Sequence, residues 1–156
     1  MQRLALTVLT TGLMGAAACG AGIRPAYSPM PNARVDSVNA QPAAVIQEIA
    51  ARMGAENIGL QWSSPDEGYL ESQWYNIVTR ESGVTSRSNP EQVILMRFWA
   101  DPIGPDKARI TSEVVIKGTT DPSVPPREQE IMAPPGHAGH QFLDRVLSGV
   151  IQRFGQ

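Results

Sequence analysis

Four runs between residues 58 and 117 alternate apolar and polar side chains, and a period of two commits the middle of the chain to strands with one buried face. Ile58, Leu60 and Trp62 alternate with Gly59, Gln61 and Ser63. Leu70, Trp74 and Val78 share one parity against Glu71, Gln73 and Tyr75. Val93 to Ala100 is nearly continuous in apolar character; its wholly apolar set is Ile94, Met96 and Phe98, with Arg97 opposite. Ile110, Val114 and Ile116 alternate with Arg109, Thr111, Glu113 and Lys117. Turn residues separate the runs, as in Ser64-Pro65-Asp66-Glu67-Gly68 and in Asp101-Pro102 with Gly104-Pro105-Asp106. Short turns make consecutive strands antiparallel. If Ala100 faces Ala108, Phe98 meets Ile110 and Met96 meets Ser112.

Both flanks change period. Pro42 suits the first position of a helix, where its missing N–H costs nothing. Ile46, Ile49, Ala50 and Met53 follow on one face, with Gln47, Glu48 and Arg52 on the other and Gly54 as the stop. Leu143, Val146, Leu147, Val150, Ile151 and Phe154 repeat at helical spacing and end at Gly155. The proline-rich stretch from Thr119 to Gly139 holds one candidate edge strand, Glu128 to Met132. The expected fold is α+β: a four-stranded antiparallel sheet with an N-terminal and a C-terminal helix on one face, in the order α-β-β-β-β-α.

Residues 1–18 carry the three parts of an export signal: Arg3, an apolar run from Leu4 to Met14 too short for the ~20 residues of a transmembrane helix, and small residues up to Ala18. Ala16-Ala17-Ala18-Cys19 resembles the lipobox of bacterial lipoproteins, departing from it where Ala16 replaces the preferred leucine. The resemblance implies cleavage before Cys19, acylation of Cys19 and anchoring to a membrane. Gly20 stands where an aspartate marks inner-membrane retention in that family, which points to the outer membrane and the periplasm. The alternative is an ordinary secretory signal cut after Ala18. Cys19 is the only cysteine, so no intramolecular disulfide is available. Residues 19–40 contain Pro25, Pro29 and Pro31 without hydrophobic periodicity and are expected to form a flexible tether of about 25 Å. Residues 41–156 are then one globular domain, expected to fold alone from about Ala40. Its order of helices and strands resembles the helix-grip domains found in a lipoprotein component of the β-barrel assembly machinery.

A net charge of −2 gives no basic stripe for nucleic acid. No nucleophile elbow, phosphate loop, zinc signature or dinucleotide fingerprint occurs, so neither an enzyme nor a cofactor is expected. His137, His140 and Asp144 are the nearest approach to a metal trio, but only two good ligands are visible and no metal is expected. Pairing of Glu128 or Glu130 with a histidine has nothing to fix its distance. Trp62 and Trp74 take core parity. Tyr75, Leu95, Arg97 and Trp99 fall on the opposite, helix-free face, which reads either as a docking face for an envelope protein or a second copy, or as a solvated face where Arg97 pairs with Glu113. Two functions follow: a lipid-anchored, non-enzymatic interaction or structural module, or a small-ligand carrier using a groove between the sheet and the C-terminal helix.

Overall fold

The two longest alternating runs pair with each other and form the spine of the fold. The computed structural model describes residues 24–84, 89, 91–118 and 121–155; residues 1–18, expected to be an export signal, and Cys19 lie outside the described residues. In chain order the elements are β1 (Arg34–Val38), α1 (Pro42–Ala55), β2 (Leu60–Ser64), β3 (Tyr69–Ser72), β4 (Tyr75–Asn76), β5 (Glu81–Ser82), β6 (Val93–Gly104), β7 (Lys107–Lys117), β8 (Glu130–Met132) and α2 (Gly139–Phe154). A 3-10 turn at Pro126–Gln129 precedes β8. The fold is α+β, and its antiparallel sheet has eight strands where the sequence suggested four. The main order is β1-β7-β6-β3-β2; β4 continues along β6, β5 pairs with β4, and β8 pairs with β7.

Both helices cover one face. Val45, Ile46, Ile49 and Met53 of α1 and Leu143, Val146, Leu147 and Val150 of α2 are buried against Ile94, Met96, Phe98, Ile110 and Val114. Glu48 is buried as well, its carboxylate held by Arg52 at 2.8 Å and by Arg153 of α2. A left-handed Gly68 (φ 64) lets the turn after β2 close onto β6, where Ala100 N–H donates to its carbonyl at 2.8 Å. A side chain at 68 would collide with the Ala100 carbonyl.

Two one-residue irregularities overturn the expected core sets. In β2, Leu60 pairs with Ser72 and Trp62 with Glu71, so a bulge at Gln61 turns Trp62 to the helix-free side, where it is 42% exposed. Along β6, Glu71 pairs with Arg97 but Tyr75 pairs with Ile94, which inserts one extra residue after β3. Parity flips there. Tyr75, expected on the outer face, enters the core against Phe142 at 5.5 Å; Trp74 is half-buried and Val78 exposed.

The β6–β7 register is also two residues from the expected one. Ala100 pairs with Ile110, Phe98 with Ser112 and Met96 with Val114, because both strands continue to a tight turn at Pro105-Asp106. A slip of two keeps every side chain on its face, so Ile94, Met96 and Phe98 are core as expected.

The tether boundary is corrected too. Residues 34–38 are not a tether but β1, paired with β7 from Val38↔Ala108 to Arg34↔Ser112. Val38 is buried and Asn39 N–H donates to the Phe154 carbonyl at 2.8 Å. The domain therefore does not begin near Ala40.

Candidate functional site

The helix-free face was the expected docking surface, and the structure covers it with the chain's own segments. Leu95, Arg97 and Trp99 do lie there, each less than 5% exposed, whereas Tyr75 belongs to the other side. Residues 24–33 run across the face and seat Tyr27 on it. The Tyr27 ring stands edge-on to Trp99 and Tyr69 at 6.4 Å, and the Arg127 guanidinium carbon sits 3.6 Å from the centre of the same ring.

Beneath Tyr27 lies a charge cluster. Arg97 reaches Glu71 at 2.5 Å, Glu113 at 3.1 Å and Glu130 at 2.8 Å. Arg127 adds longer contacts, 3.4 Å to Glu130 and 3.7 Å to Glu113. Further hydrogen bonds come from the Tyr27 and Tyr69 hydroxyls, which donate to Glu71 at 2.9 and 2.7 Å, and from Met30 N–H, which donates to Glu113 at 2.8 Å. Burial raises the Glu71 carboxyl, but the Arg97 charge and these hydrogen bonds outweigh it and hold Glu71 below the usual range. At Glu130 burial wins over Arg97 and Arg127, and its carboxyl lies above the usual range. Burial also pushes the Tyr69 hydroxyl far up, so it remains a donor. The cluster is a lock that joins the N-terminal segment to the sheet, with its donors and acceptors turned inward.

The opening in the fold lies elsewhere. β1 covers Ala108–Ser112 of β7 and β8 covers Val115–Lys117, so two short strands lie end to end on one edge. At the break between them Ala133 N–H donates to the Val114 carbonyl at 2.8 Å. A cavity of about 560 Å³ opens at this break, between the sheet edge and the start of α2. Val114, Met132, Ala133, Pro134, Pro135 and Leu143 give it a mainly apolar lining. Arg34 and Asp144, paired at 2.5 Å, line it together with Asn32 and His140. Ser112 also lines it, and its hydroxyl is buried without a hydrogen-bond partner among the described residues. Gly139 lets α2 start this close to the sheet, since a Cβ there would lie 2.9 Å from Ile94 and Val114 methyls.

Each histidine ring has a backbone partner of its own. His140 Nε2 lies 3.1 Å from the Ala133 carbonyl, and His137 Nδ1 accepts from Gly139 N–H at 3.0 Å. Among the described residues no cluster of three His, Cys, Asp or Glu side chains is arranged to hold a metal. Glu130 faces Arg97 rather than a histidine. Sequence reasoning missed Ser112 and Tyr27. Ser112 has core parity, so a hydroxyl among apolar neighbours was the available signal. Tyr27 lies in a proline-rich stretch with no periodicity to mark it. Compared with models of known protein families and with curated proteins, the chain matches none.

Proposed function

We propose that this chain is a bacterial envelope lipoprotein, acylated on Cys19 and held at the periplasmic side of the outer membrane, whose domain is a non-enzymatic binding module for a small, mostly apolar ligand. The observation that carries this reading is the cavity at the broken sheet edge with the Ser112 hydroxyl unpartnered in its wall. Small-molecule sites run from about 300 to 1,000 Å³, are chiefly apolar and carry a few placed polar groups. A buried hydroxyl without a protein partner loses its bonds to bulk water unless an ordered water or a ligand replaces them. The alternative of a protein partner on the outer face is disfavoured, because Tyr27, Arg127 and Glu130 already occupy that surface. The lipobox resemblance supports the anchor. No helix among the described residues is long and apolar enough to cross a membrane.

The test is the intact mass of the protein released gently from its envelope. The expected species is a chain beginning at acylated Cys19 with a non-covalent adduct that denaturation removes. An unmodified cysteine would refute the anchor. A chain that never carries an adduct would refute the binding role.

A further inference from the structure

The position of Arg24, five residues after Cys19, limits which end of the domain can meet a membrane anchored at Cys19. Arg24, the first described residue, is already docked: its guanidinium pairs with Asp101 of β6 at 2.7 Å. Asp101 lies close to the turn that joins β6 to β7, so Arg24 is held near that hairpin tip. Taking the proposed acylation of Cys19 as given, five peptide units separate the anchor from Arg24. Fully extended they span at most about 17 Å. From Asp101 the Val93 end of β6 is eight residues away, about 26 Å at about 3.3 Å per residue, so that end lies beyond the reach of this leash.

The hairpin tip has the surface such a position asks for. Ile103 is 49% exposed there, between Pro102 and Gly104-Pro105. The surrounding charges are mixed: Arg24, Lys107 and Arg109 against Asp66, Glu67, Asp101 and Asp106. With no basic excess, attraction to anionic headgroups is not what brings this end to the bilayer. The short leash and the apolar tip are.

We propose that the β6–β7 hairpin tip rests on the lipid bilayer, with Ile103 in its interface, and that the opposite end of the sheet, with the turn around Val78, points away from it. Val78 marks that end because Asn76 pairs with Val93 at the start of β6. The inference rests on the lipoprotein reading for the attachment point, and its test supplies the attachment chemically. The mature chain from Cys19 is coupled through its single cysteine to a maleimide phospholipid in phosphatidylcholine vesicles with brominated acyl chains, which quench only indoles inserted among them.

Ile103→Trp and Val78→Trp are compared, each judged against plain vesicles. With three native tryptophans, one further indole quenched completely removes about a quarter of the emission. Ile103→Trp should lose most of that quarter, whereas Val78→Trp and the unsubstituted chain should lose nothing. Equal quenching of the two variants, or none in Ile103→Trp with its circular dichroism unchanged, overturns the orientation. Failure of acylation in the cell appears separately, as an unmodified thiol in the intact mass, and leaves the vesicle result standing.

Discussion

Arg97→Ala should cost about 3–5 kcal/mol and lower the melting temperature by on the order of 10–20 °C, although the side chain makes no contact with the apolar core. Removing it leaves Glu71, Glu113 and Glu130 in a buried site with only Arg127, at 3.4 and 3.7 Å, to offset them. Such a loss is a large part of a domain's whole stability. Neutralising Glu130 has the opposite sign. The cluster holds three carboxylates and two guanidinium groups, so it carries one excess negative charge.

Glu130 bears that excess. Its folded-state carboxyl lies above the ordinary value, so the folded protein binds this proton more tightly than the unfolded chain does. Its contribution favours folding below the unfolded carboxyl range and is lost as the pH rises through the raised folded value. Glu71 is shifted down, and its contribution is present above the unfolded value and lost as the pH falls through the folded one. Glu130→Gln keeps an oxygen for Arg97 and should raise the melting temperature at pH 7.5, with the gain vanishing near pH 4. Glu71→Gln should lower it at pH 7.5. Thermal melts across that range measure both, and a destabilised Glu130→Gln at neutral pH would contradict the charge balance.

A chain that starts at Ala40 should fail to melt cooperatively, whereas one that starts at Arg24 should melt like the mature protein. The shorter chain loses the burial of Val38, worth about 1.5–3 kcal/mol for a fully buried apolar side chain, and the partial burial of Tyr27. It also loses the β1–β7 ladder, the Arg24–Asp101 pair and the Met30 donor to Glu113. Trp99 and Tyr69 become exposed, and Arg97 opens to water beside them. Near-UV circular dichroism with a thermal melt reads this directly. Equal cooperativity in the two chains would show that residues 24–39 merely lie against a finished fold.

The sequence made the helices legible because each buries a stripe at its own period, and it made β6 and β7 legible because both are long enough for the alternation to repeat. β1 was not legible. It contributes backbone hydrogen bonds at an edge and one buried side chain, Val38, while Val35 is 58% exposed. Parity failed where a bulge at Gln61 and an extra residue before Tyr75 each reversed it, and a two-fold pattern cannot show a residue inserted into it. The outer face was placed correctly for Leu95, Arg97 and Trp99, but its cover was missed. That cover comes from a proline-rich segment and a 3-10 turn, neither of which has an amphipathic period. The cavity was legible only as a groove between the sheet and the last helix. Its position depends on two short strands meeting end to end on β7, and nothing local encodes that.

The measurement that bears most directly on the binding role is a titration of the folded domain with an amphiphilic fluorescent probe of apolar sites, 1-anilinonaphthalene-8-sulfonate, on the unsubstituted protein and on Ser112→Val. The substitution replaces an unpartnered hydroxyl by a methyl-bearing side chain that suits a strand and narrows the cavity, so stability should be unchanged or slightly higher. The account predicts saturable one-to-one binding by the unsubstituted protein and at least a tenfold loss in Ser112→Val, about 1.4 kcal/mol. Absence of saturable binding, or equal affinity in the two proteins, would contradict it.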